Sequence, residues 1–435
     1  MSEHTLIERA LLLDQWLETM RGPDGYGGPV AHWWQNSLYY TGAGLDWRYE
    51  GIITAYLMLF EKTGDAVWLA RARQAGDDLV RGQLPSGNFR HSRFELNPYA
   101  GGNPHESGAD IGMLRLAETL KAREDDGWQA YADAACRNLR EIHMKLLWRD
   151  DTQRFYDNLD RTSFVPNKAA TLTEALFLYA RVCDDETAIT RYALPTLDAI
   201  IEHQITEGEL RGAILQASDN GRPVHWYFPY YVARCIPALL LGYAWNQQQR
   251  YLHAARLASE FILKWQDPDG GFVQIVYPKR RYNRYQRWVA GNGDTLRALR
   301  LMRPYGVEAD LTRSHDWLIS QQESMGGYPT AEGFASQINQ RKPGKLPEFR
   351  DLLPVCGWTD KAFRYIVDCL PDKVSLPSEP PAQQPVEAAC TIRGRHAHYK
   401  EDTSTIELKH GRRVLYRWRK GEDWAEVQSD LMLWK

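Results

Sequence analysis

Seven carboxylates and one histidine stand in loops or at helix starts where proton transfer is chemically possible: Asp46, Glu50, His105, Glu106, Asp110, Glu174, Asp294 and Asp360. Cleaving a glycosidic bond by hydrolysis takes two carboxyl groups, one protonated to assist departure and one ionised to activate water or attack. Glu50, His105, Glu106, Asp294 and Asp360 are the catalytic candidates. Asp294 and Asp360 fall in the first turn of a helix, where the helix dipole alone favours an acid. Helix capping accounts less well for Glu106 beside His105 in NPHESG, or for Glu50 with Asp46 and Arg48 in LDWRYEG.

Aromatic residues surround these acids. The chain has 16 tryptophans and 23 tyrosines, more than a helical core requires, and several fall in loops. Flat rings stack on the apolar faces of sugars, while flanking polar groups bond the hydroxyls. The binding candidates are therefore Trp47, Trp226, Tyr227, Tyr230, Trp288 and Trp358, with Asp46, Arg48, Asp110, Lys168 and His225 as polar partners. Any single aromatic is explained as well by filling a gap between helices; their recurrence on several loops points to a ligand. A further loop, VYPKRRYNRYQRW at 276–288, sets five cations, Arg284 among them, between three tyrosines and a tryptophan. Arginine forks bind carboxylate or phosphate in pairs of hydrogen bonds, so this loop favours an anionic glycan.

The elements that must position these groups recur six times, each as an amphipathic helix, a turn usually marked by glycine, a loop rich in aromatic and ionisable residues, and a second, more apolar helix. First members include WLARARQAGDDLV and YLHAARLASEFILKW; second members begin near Trp47, Gly108, Asn167, Tyr227, Asn292 and Gly357. Apolar positions return every three or four residues, the mark of a buried helical stripe. No unit of this size buries its apolar face alone, so the pairs must stack, and closing them on themselves completes the core. The expected fold is all-α: an (α/α)6 toroid of helical hairpins, second members inside, with a small C-terminal β-rich appendage. Ser107 and Gly108 before Asp110, Thr171 and Thr173 before Glu174, and Asn292 before Asp294 are read as N-terminal caps. If the inner helices run parallel, the loops feeding their N-termini share one rim, and simpler turns such as PDGYGG, PSGNF and DPDGGF mark the opposite end. The toroid is assigned to residues 1–370, a proline-rich linker to 371–389, and two or three strands in hairpins to 390–435.

A net charge of −3 and a pI near 6.5 argue against a nucleic-acid binder or a membrane-surface protein. Six cysteines without a CxxC pair give neither a zinc site nor a disulfide framework and read as reduced core thiols. No metal site and no cofactor are expected. The N-terminus reads as an amphipathic helix rather than a secretion signal, and no apolar run approaches the length of a membrane span. A soluble cytoplasmic protein is expected.

The six helix pairs, the turns in WQDPDGGF and QQESMGGY, and TGD after an inner helix resemble the (α/α)6 toroid of six-hairpin glycosidases and the related lyases and epimerases, over roughly residues 5–370. FILKWQDPDGGF is also similar to the repeat of squalene and hopene cyclases, but the chain lacks the DxDD acid motif. The toroid resemblance implies an oligosaccharide or polysaccharide substrate. Hydrolysis is the expected reaction because acids outnumber bases suited to elimination. The alternatives are uronate lyase or epimerase chemistry, with Arg48 or Lys168 neutralising the substrate acid, and a non-catalytic toroid that binds a glycan or a protein in cell-surface polymer assembly. Fold alone does not choose among them.

Overall fold

The computed structural model describes residues 3–30, 39–40, 43–90, 106–157, 159–334, 346–377, 379–422 and 424–427. His105 lies outside the described residues. Among the described residues twelve α-helices alternate between two concentric layers. The inner layer is α2 (Arg48–Thr63), α4 (Ser107–Lys121), α6 (Pro166–Cys183), α8 (Pro229–Asn246), α10 (Asn292–Leu301) and α12 (Cys356–Asp368). The outer layer is α1 (Glu3–Thr19), α3 (Ala66–Gly82), α5 (Trp128–Asn138), α7 (Leu194–Glu202), α9 (Gln249–Lys264) and α11 (Thr312–Ser320). Each inner helix packs on the next, and α12 returns to α2, so the ring is closed. This is the expected (α/α)6 toroid, and the inner helices are its most completely buried elements.

The pairing frame differs from the one read in the sequence. Each outer helix packs chiefly on the inner helix that precedes it, α3 on α2, α5 on α4 and α9 on α8, and α1 closes against α12. Short connections explain this. Only Gly64 and Asp65 separate α2 from α3, with Gly64 at φ 71° and the Asp65 carboxylate accepting from the Val67 N–H at 3.0 Å. A link of two residues forces antiparallel neighbours, whereas the long outer-to-inner loops do not. The glycine turns must also be relocated. PDGYGG, PSGNF and DPDGGF each leave the C-terminus of an outer helix, so they share an end with the inner N-termini; the opposite end carries links of the Gly64–Asp65 kind.

Two expected caps are interior residues. α6 begins at Pro166, so Thr171 and Thr173 sit one to two turns inside it, their hydroxyls donating back to the carbonyls of Asn167 and Ala169. Proline at the first helical position costs no hydrogen bond, and that start outcompetes the threonines. Glycine lets the inner helices converge. A Cβ at Gly51 would lie 2.3 Å from Asp360 Oδ2, and one at Gly293 would lie 2.3 Å from the Lys361 carbonyl oxygen.

Beyond α12, a five-stranded antiparallel meander replaces the two or three strands expected: β1 (Val386–Ile392), β2 (Arg395–Glu401), β3 (Thr405–His410), β4 (Arg413–Arg419) and β5 (Ala425–Val427). One face packs on α1 around a buried polar knot. Glu401 accepts from Trp16 Nε1 at 2.9 Å, Lys420 Nζ at 2.7 Å and the Tyr399 hydroxyl at 3.0 Å, and Lys420 also reaches the Thr19 hydroxyl. The segment leading in is tied by Gln383 and Gln384 to Met325 and Ser324. All six cysteines are free, Cys136 and Cys183 lying side by side. No helix is long and apolar enough to cross a membrane.

Removing one partner of a buried ion pair leaves an uncompensated charge, at a cost of about 3–5 kcal/mol. Lys420→Met is expected to lose stability of that order in urea unfolding, and Glu401→Gln/Lys420→Met to recover most of it. Equal stability of wild type and Lys420→Met would contradict a supporting role for the knot.

Candidate active site

The inner N-termini converge on a cavity of about 310 Å³. Trp47, Trp358 and Tyr230 form its aromatic wall, with Trp226 at its mouth, 49% exposed. Asn167, Thr171 and Gln216 add neutral polar groups, and Glu50, Lys168, Arg234 and Lys361 the charges. The wall is fixed from behind. Trp358 packs on Trp47 at 5.9 Å, Tyr230 at 5.8 Å and Trp288 at 4.6 Å between ring centres, and Trp47 Nε1 donates to the Gly357 carbonyl at 2.7 Å. Trp288 is thus a buttress. Tyr227 is buried, its hydroxyl 2.8 Å from His225 Nδ1, and neither residue reaches the cavity lining.

Beneath the aromatic wall lies a network of buried charge. Arg234, from the second turn of α8, contacts Glu50 at 3.2 Å and Asp294 at 3.1 Å and takes the Thr171 hydroxyl as an acceptor at 2.9 Å; Glu174 is 3.9 Å away. Arg364, from α12, bridges the same two acids, Glu50 and Asp294, and Lys361 holds Asp360 at 2.8 Å and Glu50 at 3.4 Å. Burial alone would raise the pKa of Glu50, yet Arg234, Arg364 and Lys361 together hold it well below the usual glutamate range. Asp294 is held down in the same way by Arg364 and Arg234. Glu174 goes the other way: its burial, with Glu50 nearby, outweighs Arg234 and pushes it up. Burial likewise lifts Asp360 to about 7 against the pull of Lys361.

Two further arginines, Arg115 of α4 and Arg297 of α10, feel this network. Burial pushes both down, Arg297 to about 10, with Arg364 adding to the repulsion in each. Glu118 and Asp368 partly offset these two. On the cavity lining itself three cations, Lys168, Arg234 and Lys361, stand beside the single carboxylate Glu50, which favours an anionic group there.

The folded chain separates the sequence candidates into groups. Glu50, Trp47, Lys168, Trp226, Tyr230 and Trp358 are brought together on the cavity, and Asp294 and Asp360 lie just behind it. Asp46 and Arg48 clasp each other at 2.8 Å, with Arg48 also donating to the Tyr26 carbonyl, so both serve the loop. Glu106 is buried at the start of α4. Asp110 faces His143 at 3.9 Å between α4 and the turns that extend α5; burial, with Glu106 nearby, holds Asp110 well above the usual aspartate range and pushes His143 down to about 3, so the imidazole is uncharged at neutral pH. Arg284 is away from the cavity, paired with Asp267 at 2.9 Å. Arg234, Lys361 and Arg364 were missed. The available signal was a cation inside a largely apolar stretch of an inner helix, Arg234 alone in FPYYVARCIPALLLGYA and Lys361 with Arg364 in KAFRYIVDCL. Among the described residues, no cluster of three or more His, Cys, Asp or Glu is arranged to hold a metal ion.

No family model and no curated protein sequence matches the chain. Solved structures do. The cellobiose 2-epimerase of Bacillus thermoamylovorans superposes with a TM-score of 0.57 at 13% identity, covering 81% of this chain and 95% of the epimerase. An α-1,6-mannanase of a Salegentibacter species gives 0.54 at 12%, covering 83% and 98%, and a type II terpene cyclase of Scytonema gives 0.51 at 15%, covering 86% and 100%. At these identities the likeness establishes architecture: the chain has the six-hairpin helical toroid that the sequence resemblance implied.

Proposed function

We propose that this protein is a carbohydrate-active enzyme, a glycoside hydrolase acting on an oligosaccharide that carries acidic groups. The observation that carries the reading is the pair of glutamates flanking Arg234. Glu50 and Glu174 lie 3.2 Å and 3.9 Å from the same guanidinium nitrogen, so their nearest oxygens are no more than about 7 Å apart. That bound admits the carboxyl separations of both retaining and inverting hydrolysis. Their environments drive their proton affinities apart, the arrangement that assigns an acid and a base to two chemically similar groups.

In this mechanism the sugar stacks against Trp47 and Trp358 while its acidic group approaches Arg234 and Lys361. As the substrate anion takes a share of those cations, Glu50 is released from part of its ion pairing and gains basicity. Glu50, the carboxylate on the cavity lining, then faces the positive charge developing at the anomeric carbon, either attacking it or drawing a proton from water, and Glu174, buried just behind that lining beside Arg234, supplies the proton for the leaving oxygen. Asp294 and Arg364 hold the pair in place. Two of the three solved neighbours act on sugars, by name a cellobiose epimerase and an α-1,6-mannanase. The third is by name a terpene cyclase, and the DxDD acid motif of the squalene and hopene cyclases is missing from this sequence. Lyase or epimerase chemistry needs a base that takes the proton beside the substrate carboxylate; burial and Asp294 keep the proton on Tyr230, so this cavity tyrosine is a poor candidate for that base.

Glu50→Gln and Glu174→Gln are each expected to lower kcat by about 10²- to 10⁴-fold with the fold intact by circular dichroism. Retention of more than a tenth of wild-type turnover by either, on a substrate the wild type cleaves, would remove the assignment. Activity is expected to fall on the alkaline side as Glu174 loses its proton, and the Glu174→Gln residual activity to lack that limb. Asp360 behaves differently because it acts on stability. Its folded-state proton affinity exceeds the unfolded one, so the native state holds a proton that the unfolded chain has released, and stability declines as pH rises from about 4 to 7. Urea unfolding at several pH values is expected to show a shallower decline in Asp360→Asn than in wild type.

A further inference from the structure

The arginine-rich hairpin remains unused by this mechanism, and most of its cations are occupied. Arg280 pairs with Glu209 at 3.1 Å, Arg284 with Asp267 at 2.9 Å, and Arg287 with Asp267 and Asp269 at 2.8 Å and 2.5 Å. Arg281 differs. It is exposed, has no carboxylate partner among the described residues, and lies with its guanidinium 5.9 Å from the centre of the Tyr277 ring.

Backbone register connects this pair to the cavity. The strands Ile275–Tyr277 and Arg281–Asn283 pair antiparallel with Val276 opposite Tyr282 and Tyr277 opposite Arg281. On the other side Val276 exchanges both backbone hydrogen bonds with Tyr227, at 3.0 Å and 2.8 Å. Continuing that register by one residue sets Trp226 alongside Tyr277. Side chains alternate between the faces of a ribbon, so Trp226, Tyr277 and Arg281 share one face, and Tyr227 and Val276 point the other way, into the core. Tyr227 and Val276 are 1% and 0% exposed while Trp226 is 49% exposed; within the hairpin itself exposure follows position and not face, Ile275 on the Tyr277 side being 4% exposed and Tyr282 on the Val276 side 40%. Adjacent strands are about 4.8 Å apart, so the row reaches about 10 Å outward from the cavity mouth. Asn283 Nδ2 donates to the Tyr277 hydroxyl at 3.1 Å and helps fix that ring.

We propose that Trp226, Tyr277 and Arg281 form an outer saccharide subsite, continuous with the cavity through Trp226, which binds the acidic sugar residue next along the chain from the one inside. The ring of Tyr277 offers a stacking face, and Arg281 an unpaired cation for that sugar's acidic group. This rests on the reading of the cavity as a carbohydrate site. It implies a preference for chains longer than the cavity alone would select.

The test uses oligogalacturonides, oligomannuronates and heparin fragments, each as disaccharide and hexasaccharide, titrated by calorimetry into wild type, Tyr277→Ala and Arg281→Ala. In the series that wild type binds, each variant is expected to weaken hexasaccharide binding roughly 3- to 10-fold, the size of an exposed ring or cation contact, and to leave disaccharide binding unchanged. Added salt is expected to shrink the Arg281 effect and not the Tyr277 effect. Unchanged hexasaccharide affinity in both variants, or equal loss for both chain lengths, would overturn the outer subsite while leaving the cavity reading intact. Absence of binding by wild type across all three series at both lengths would overturn the two together.

Discussion

The structure depends on keeping a dense set of charges out of water at the convergence of six inner helices. Glu50, Asp294, Arg234, Arg364 and Lys361 are all at most 6% exposed. Isolated, each would carry a desolvation cost of several kcal/mol, so none is tolerable without the others. Their donors and acceptors come from different repeats, α2, α8, α10 and α12, which makes the network a lock on ring closure as well as the floor of a cavity. The parallel run of the inner helices contributes a second favourable term, because first-turn acids such as Glu50 and Asp294 meet the positive ends of their own helix dipoles.

The division between layers follows from connection length. The two-residue links between α2 and α3 and between α8 and α9 leave no freedom, and the chain turns through left-handed residues there, at Gly64 and Gln247, as it does at Asp184 after α6. The long loops at the other end can carry aromatics and charge without disturbing the ring. The aromatic and charged loops therefore share the end of the ring that holds the buried network, and the tightest helix links occupy the other. The C-terminal meander adds to neither cavity nor ring; it seals α1 against solvent through Glu401 and Lys420, where a polar knot fixes the orientation of the sheet that apolar packing alone would leave loose.

Much of this was legible in the sequence. Three- and four-residue periodicity located the inner helices to within two residues, and repetition with no other way to bury the apolar faces gave the closed toroid. Glu50, Trp47, Tyr230 and Trp358 were found because rim loops of this fold bring them together. What stayed hidden has physical reasons. Arg234 and Arg364 sit among apolar residues and look like stray surface positions until three-dimensional closure supplies their acids. Conversely, the conspicuous cations of 276–288 are mostly neutralised by Asp267, Asp269 and Glu209, residues whose proximity no spacing rule reveals. Periodicity also identifies helices without saying which neighbour each one prefers; the short links decided that, and the glycine turns PDGYGG, PSGNF and DPDGGF, expected at the opposite end, lie at the end of the inner N-termini.

The central claim is that the cavity around Arg234 breaks a glycosidic bond with water. Incubating the protein with size-defined acidic oligosaccharides in ¹⁸O-labelled water and weighing the products by mass spectrometry tests it most directly. The account requires shorter chains, each new reducing end carrying one ¹⁸O atom. Products lighter by one water and free of label, a change of sugar configuration without cleavage, or intact chains after prolonged incubation with a saccharide the protein demonstrably binds would contradict it.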